Sequence, residues 1–283
     1  MSKKYEFTGE TKEFDEIILY RIRRIKDGLV GGWIEKEENL SHEGSCFVYD
    51  EAVVFGNGKV YGDAKVYNNA EVFGYAEVYG YAEVYDYARV CGYTRIYGNA
   101  EVYNNAEVRG DATVYDYARV YNNAEVRGDA MIYGNAEVYD YATVYGYARI
   151  YCNAEVYNYA RVYDYARVYG IAKVCGRHAE VFGNAEICDS AMVYGNAKIH
   201  EGRIIGQISQ SYEGIFQYQC KRRMLIAILT EDNEILYSIG CQENITKEQF
   251  LNRIYNEGGG LKGNPHREEY LRLIPAIEMY FKN

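Results

Sequence analysis

The chain has 283 residues, a formal net charge of −10, 34 tyrosines and only two prolines. The acidic charge makes nucleic acid an unlikely partner, because phosphate contacts depend on an excess of Lys and Arg. The sequence has no run of 18 apolar residues, so no membrane-spanning segment is expected.

The cysteines predict the compartment. Seven cysteines are scattered without a Cys-x-x-Cys motif, which is typical of reduced thiols in a cytoplasmic protein. The start Met-Ser-Lys-Lys-Tyr-Glu lacks the apolar stretch of a signal peptide, which agrees with a cytoplasmic location.

Residues 1–47 are expected to form an N-terminal hairpin and a capping coil. Residues 5–8, a turn at Gly9 and residues 14–22 have the composition of a β-hairpin. Ile34 and Leu40 are six residues apart, so an irregular first coil is expected here. Trp33 is interpreted as part of the cap that closes the open end of a solenoid.

Residues 48–205 contain a strict six-residue repeat. An aliphatic residue stands at every sixth position from Val48 to Val174, and nearly every one follows an alanine by two residues. Side chains alternate along a strand, so Ala and Val point inward and the residue between them points outward. The Gly, Asn and Asp that follow favour a turn. Apolar residues at i, i+2 and i+6 do not form a helical stripe, so a β-solenoid is predicted.

Tyrosines recur at intervals of 18 residues, which indicates three hexads in each coil. Two columns are unbroken: Tyr49, Tyr67, Tyr85, Tyr103, Tyr121, Tyr139 and Tyr157, and Tyr61, Tyr79, Tyr97, Tyr115, Tyr133, Tyr151 and Tyr169. The third column is mixed: Phe55, Phe73, Cys91, Arg109, Arg127, Tyr145 and Tyr163. Coils about 4.8 Å apart would stack these residues on one another.

The repeat resembles that of bacterial hexapeptide-repeat proteins. Residues 19–22, 31–41 and 46–49 are similar to the opening of the YdcK-like members, which are frequent in bacterial genomes and prophages. The resemblance covers roughly residues 17–205. It implies a left-handed parallel β-helix. Handedness comes from the resemblance only, since the general crossover rule favours the right hand.

The period breaks once, between Val174 and Val181, and resumes at Ile187, Val193, Ile199 and Ile205. This gives nine coils from Val48, with a bulge or longer corner at the break. The resemblance implies acyl transfer by a histidine base near a loop excursion, and His178 at the break is the one weak candidate. A solvated corner histidine is the competing interpretation.

A metal site and a cofactor are not expected. Cys175, His178, Cys188 and His200 are possible ligands by residue type, but the columns place Cys175 and Cys188 on different corners.

Residues 206–283 predict a small α+β module. Strands are expected at 215–219, 224–230 and 235–240, with a hairpin turn at 231–234. A capping box at Thr246–Gln249 predicts a helix that ends at about Asn256, and residues 258–263 are expected to form a loop. Pro265 is expected to begin a last helix. The apolar stripe of that helix comprises Tyr270, Ile274, Ile277 and Phe281. The module would either cap the solenoid or recognise a partner.

Two surface features are candidate binding sites. The first is a charged patch around Arg109 and Arg127, for which an ion-pair network is the alternative. The second is the tyrosine columns, represented by Tyr103, Tyr121, Tyr139, Tyr115 and Tyr133, for which bracing of successive coils is the alternative.

The leading functional hypothesis is a non-enzymatic binding or scaffold protein that presents tyrosine- and charge-lined faces to a protein partner. In the prophage setting that the resemblance suggests, this partner would be a host factor. The alternative is a coenzyme A-dependent acyltransferase with His178 as base. Self-association of rods through tyrosine columns is a third hypothesis.

Overall fold

The computed structural model describes residues 3–200, 202–208, 214–219, 224–230, 234–239, 242–255 and 267–281. Within these residues the chain forms a parallel β-solenoid of about ten coils and a small C-terminal module of one antiparallel sheet and two helices. The predicted fold class, an all-β solenoid with an α+β module, is therefore confirmed.

The hexad forms a strand because its Ala and aliphatic residues fill the interior of a three-sided prism. Ala100 and Val102, for example, are fully buried. Val84 pairs in register with Val102, and Val102 with Val120. The 18-residue coil predicted from the tyrosine columns is thus confirmed.

Three parallel sheets form the faces of the prism, called here faces A, B and C. Face A contains Val30–Ile34, Val53–Val54, Glu71–Val72, Arg89–Val90, Glu107–Val108, Glu125–Val126, Thr143–Val144, Arg161–Val162, Glu180–Val181 and Lys198–Ile199. Face B contains Lys59–Val60, Glu77–Val78, Arg95–Ile96, Thr113–Val114, Met131–Ile132, Arg149–Ile150, Arg167–Val168, Glu186–Ile187 and Arg203–Ile204. Face C contains Phe47–Val48, Lys65–Val66, Glu83–Val84, Glu101–Val102, Arg119–Val120, Glu137–Val138, Glu155–Tyr157, Lys173–Cys175, Met192–Val193 and Gln207–Ile208.

Each corner of the prism turns through one residue of positive φ, the second after the aliphatic position. Gly110 has φ 78°, and a Cβ there would lie 2.8 Å from the backbone nitrogen of Gly128 in the next coil. Asn and Asp occupy the equivalent position elsewhere, as at Asn104 with φ 57°. These residue types tolerate the left-handed region best, which explains their place in the hexad.

The break in the period is a longer corner, as predicted. It lies between strands Lys173–Cys175 and Glu180–Val181, and Val162 still pairs with Val181. The end of the repeat differs from the prediction: Ile204, and not Ile205, is the buried residue of the last strand on face B. A further inward residue, Ile208, follows four residues later because the last corner is shorter than a full hexad.

The N-terminal hairpin extends face A beyond the first coil. Strands β1 (Tyr5–Phe14) and β2 (Ile17–Arg24) pair antiparallel, and β2 then pairs with Val30–Ile34. The predicted turn at Gly9 is wrong: the chain reverses at Asp15–Glu16, and Gly9 lies in an irregularity of β1 between Phe7 and Thr11.

The irregular first coil predicted from Ile34 and Leu40 is present. Ile34 pairs with Val54, and Leu40 bridges to Val60 after a short 3-10 helix, Glu37–Asn39. Trp33 is only 6% exposed, packs with Leu19 and Val53 beneath the hairpin, and has no face free for a ligand.

The C-terminal sheet has four strands, Gly214–Gln219, Met224–Leu229, Ile235–Ile239 and Gln242–Thr246, followed by helices α1 (Lys247–Tyr255) and α2 (Arg267–Tyr280). The strand Gln242–Thr246 was not predicted, because Gln, Glu and Asn are poor strand formers. Thr246 and Gln249 exchange the two hydrogen bonds of the predicted capping box. The predicted loop at 258–263 and the start at Pro265 lie outside the described residues, as does most of the predicted turn at 231–234.

The two apolar faces of this sheet determine the role of the module. Ile226, Ile228 and Leu236 join the hydrophobic core of the solenoid. Leu225 and Tyr237, on the opposite face, pack with residues of both helices, including the predicted stripe of α2. The module therefore caps the C-terminal end of the solenoid.

Candidate functional site

The outer surface of each coil consists of three positions per hexad. The residue between Ala and Val projects from a face. The residue after Val lies against that face and stacks on its equivalents in neighbouring coils, forming what we call a ladder. The residue before Ala follows the positive-φ turn and projects from a corner of the prism, so we call it a corner residue.

The tyrosine ladders form continuous stacks. Tyr103, Tyr121 and Tyr139 stack beside face C with ring centroids 4.9 Å apart and interplanar angles of 2° to 4°. Tyr115 and Tyr133 stack in the second ladder at 4.9 Å. The first ladder begins one coil later than predicted, at Tyr67, because Tyr49 packs edge-on against Phe47.

Most of the polar tips of the first ladder are bonded within the rod. The hydroxyl of Tyr121 donates to Glu137 at 2.8 Å, and that of Tyr139 donates to Glu155 at 3.1 Å. Burial and these carboxylates raise the pKa of Tyr121 and Tyr139 well above the ordinary value. With both faces of each ring covered and the hydroxyls engaged, these residues brace successive coils and offer little to a partner.

Arg109 and Arg127 interrupt the third ladder and lie in two identical stretches, Asn-Asn-Ala-Glu-Val-Arg-Gly-Asp-Ala, 18 residues apart. Nε and Nη2 of Arg109 both bind Oε1 of Glu125, the former at 3.1 Å. Nη1 of Arg127 lies 3.5 Å from the same oxygen, and its guanidinium sits 4.8 Å from the centroid of the Tyr145 ring. The arginines are therefore already engaged in an ion-pair network, which disfavours them as a site for an anion.

Sequence reasoning missed the most exposed rings, which are the corner tyrosines. Tyr87 is 63% exposed, Tyr93 60%, Tyr141 52% and Tyr147 52%. The others are Tyr75, Tyr81, Tyr117, Tyr159 and Tyr165. The signal was present as a Tyr directly before the inward Ala, or before Thr94 in the case of Tyr93, a position that the turn directs into solvent.

The corner tyrosines frame the two arginine coils. Asn105 and Asn123 project between Tyr87 and Tyr141 at one edge of face A. Asp111 and Asp129 project between Tyr93 and Tyr147 at the other edge. The two arginine coils together carry four carboxylates, of Glu107, Asp111, Glu125 and Asp129, and two guanidinium groups, of Arg109 and Arg127. We call residues 105–111 and 123–129, with these four tyrosines, the central patch.

Ring faces open onto the central patch. Tyr93 stacks on Tyr75 at 4.8 Å, and Tyr147 stacks on Tyr165 at 5.0 Å, so each has one covered face. Tyr75 and Tyr165 lie on the sides away from the aspartates, so the remaining ring faces lie on the side of the aspartate coils; the adjacent coil is identified by the bond from Tyr93 N–H to the Gly110 carbonyl. Three coils separate Tyr93 from Tyr147, or roughly 14 Å at the usual strand spacing.

The unpaired polar groups of the central patch are mainly acceptors. Among the described residues, Asp111 and Asp129 have no ion-pair partner, and both are exposed. At the opposite edge of face A, a recess of about 460 Å³ is lined by Tyr87, Asn105 and Asn123 together with residues of the turns. The arrangement suits a cationic group that stacks on a ring and bonds a carboxylate.

His178 is an exposed corner residue and lines none of the described recesses. The neighbouring thiol of Cys175 is hydrogen-bonded to Tyr157 and contributes to a raised pKa of that tyrosine, about 12. Among the described residues, no hydrogen-bonded carboxylate orients His178 as one orients a general base.

Within the part of the chain that the structure describes, no three His, Cys, Asp or Glu side chains converge as a metal site would require. The five described cysteines are unpaired thiols. No helix among the described residues has the length and apolarity to span a bilayer.

Comparison with known proteins adds no family assignment. No protein-family model matches this chain, and a search of curated proteins finds no significant match.

Proposed function

We propose that this protein is a non-catalytic binding module, and that the central patch on face A binds a protein partner carrying exposed Arg or Lys side chains. The observation that carries the proposal is the pair of free aspartates between the open ring faces of Tyr93 and Tyr147. An ammonium or guanidinium group there gains both a carboxylate and a cation–π contact.

The rigidity of the rod supports a binding role. Backbone hydrogen bonds and stacked ladders hold the corner residues at fixed spacing, so a partner orders few side chains of this surface when it binds. Tyrosine is enriched in protein interfaces because its ring is apolar and its tip polar. The resemblance to prophage-associated hexapeptide-repeat proteins supports a host protein as the partner.

The test is affinity capture followed by binding measurements with purified partner. The double variant Tyr93→Ser/Tyr147→Ser should lose the partner, and Asp111→Asn/Asp129→Asn should weaken binding by about tenfold at low salt. Tyr81→Ser/Tyr117→Ser is a matched control, since both rings are similarly exposed but lie at the edge between faces B and C. Equal loss in the control would contradict the proposal.

Two further measurements separate this proposal from its alternatives. Calorimetry with coenzyme A and acetyl-coenzyme A tests the acyltransferase hypothesis; saturable binding and turnover that His178→Ala abolishes would replace the binding proposal. Light scattering tests self-association: a dimer that Tyr93→Ser/Tyr147→Ser dissociates would make a second copy of the chain the partner.

A further inference from the structure

A second candidate site lies at the opposite end of the rod from the C-terminal module. A recess of about 580 Å³ opens between the end of the hairpin, residues 42–45 and the first coils. Four lysines and one arginine line it, and none of its lining residues is Asp or Glu; the cations are Lys3, Lys4, Arg24, Lys26 and Lys65, and the neutral ring of His42 lies among them. This is an unusual concentration of cations for a chain with a net charge of −10.

The fold holds several of these groups in place through ion pairs with residues that are not part of the lining. Lys3 binds Glu37 at 2.6 Å, Lys65 binds Glu83 at 2.7 Å, and Arg24 forms two hydrogen bonds to Asp27. Such exposed ion pairs contribute little to stability. They fix long side chains in one geometry, which lowers the entropy cost of binding a ligand.

Lys4 and His42 are joined to each other and to the rod. The backbone N–H of Lys4 donates to Nδ1 of His42 at 3.2 Å, so His42 carries its proton on Nε2, which faces Glu37 at 3.2 Å. The ammonium group of Lys4 contacts the buried Sγ of Cys46 at 3.0 Å. Lys4 Nζ also donates to the backbone carbonyl of Glu43 at 3.4 Å, and among the described residues it forms no salt bridge to a carboxylate.

Lys26 is a second lysine of the recess without a salt bridge: it is exposed, and within the described residues it has no ion-pair partner. In the described part of the chain, Lys4 and Lys26 therefore line the recess without a salt bridge, beside three cations that have one; Asp63 and Asp27 interact with them at longer range. A bound anion would offset their repulsion, and no wall carboxylate would oppose it.

We propose that this recess binds a small phosphate-bearing anion. Its volume lies in the range of small-molecule sites, and several ammonium groups with one guanidinium suit a group of two or more negative charges. The site is independent of the central patch, because it lies on other coils and shares no residue with it.

Calorimetry with inorganic pyrophosphate tests the proposal on the full chain. We expect saturable binding that weakens as ionic strength rises. Lys26→Glu should weaken it at least about fivefold, the effect of losing one favourable ion pair. Lys59→Glu is the matched control, since Lys59 is an exposed lysine on face B that does not line the recess.

Each outcome decides the proposal. Binding that is weakened by Lys26→Glu and unchanged by Lys59→Glu supports it; no saturable binding, or equal weakening by both variants, overturns it. Circular dichroism of both variants checks that the rod is folded. A second arm uses phosphatidylcholine vesicles with and without a phosphoinositide: binding to these vesicles without binding to pyrophosphate would assign the recess to a lipid headgroup instead.

Discussion

The hydroxyl of Tyr121 donates a 2.8 Å hydrogen bond to Glu137, a residue of the next coil. The same bond recurs between Tyr85 and Glu101 and between Tyr139 and Glu155. Each bond joins adjacent coils on face C, alongside the stacked rings. The ladder is therefore a structural brace, and its protonation couples to the stability of the rod.

Alkaline pH should unfold the solenoid. Burial raises the pKa of Tyr115, and burial with Glu180 raises that of Tyr163, to about 12 from the ordinary 10.0. Because the folded state holds these protons more tightly, the contribution of these tyrosines to stability is constant below about pH 10 and falls as pH rises toward 12. Tyrosinate absorbance and circular dichroism should change together over this interval. Full ionisation of the tyrosines with an unchanged β-sheet spectrum would contradict the prediction.

The interior should be sensitive to loss of volume. Ile132 is fully buried in face B, and Ile132→Ala should cost about 2–4 kcal/mol of unfolding free energy. Met131→Ala is a control in the same strand, since Met131 projects outward and its loss should cost under about 1 kcal/mol. Denaturant titration compares the two, and similar midpoints for both variants would show that the prism interior is not close-packed.

One residue at a positive-φ turn is poorly matched to its backbone conformation. Cys152 has φ 62° at a position that Gly, Asn or Asp fills in the other coils. Cys152→Gly should relieve roughly 1 kcal/mol of strain and raise the thermal midpoint, whereas Cys152→Ala, which keeps a Cβ, should not. Thermal scans under reducing conditions provide the measurement; a lower midpoint for the glycine variant would contradict the assignment.

Disruption of the cap should cause association of rods. Ile228 is 1% exposed between the C-terminal sheet and the solenoid core, so Ile228→Asp would place an unpaired charge there and release the module. The uncovered last coil would then pair with other chains. Size-exclusion chromatography with light scattering should show oligomers, which Asn252→Asp, a change on the exposed side of α1, should not produce. A monomeric Ile228→Asp protein would show that the cap is dispensable.

Much of the fold was predictable because the hexad is a local code. Ala100 and Val102 identify the inward face of a strand by their spacing, and a Gly or Asn two residues after each aliphatic position identifies the turn. The 18-residue interval of Tyr103 and Tyr121 added the coil length, because stacked coils repeat the same environment. Left-handedness stays a prediction from resemblance.

Where local signals weaken, the prediction was less accurate. The turn of the hairpin was assigned to Gly9 because Gly is a common turn residue, but pairing of β1 with β2 places it at Asp15–Glu16. Extension of the six-residue period predicts Ile205 as the inward residue of the last face B strand. Ile204 takes that position because the last corners are shorter than those of the regular coils. The strand Gln242–Thr246 forms because its neighbour offers a free edge, which composition does not reveal.

The sequence by itself determined the prism, its coil length and the columns of like residues, because these depend on spacing along the chain. Tertiary structure alone decided which tyrosines are covered and which are exposed, that Glu125 engages both Arg109 and Arg127, and that the C-terminal sheet closes the solenoid. Those outcomes depend on contacts between residues of different coils or different domains, and the free energy of such contacts is not encoded in any one repeat.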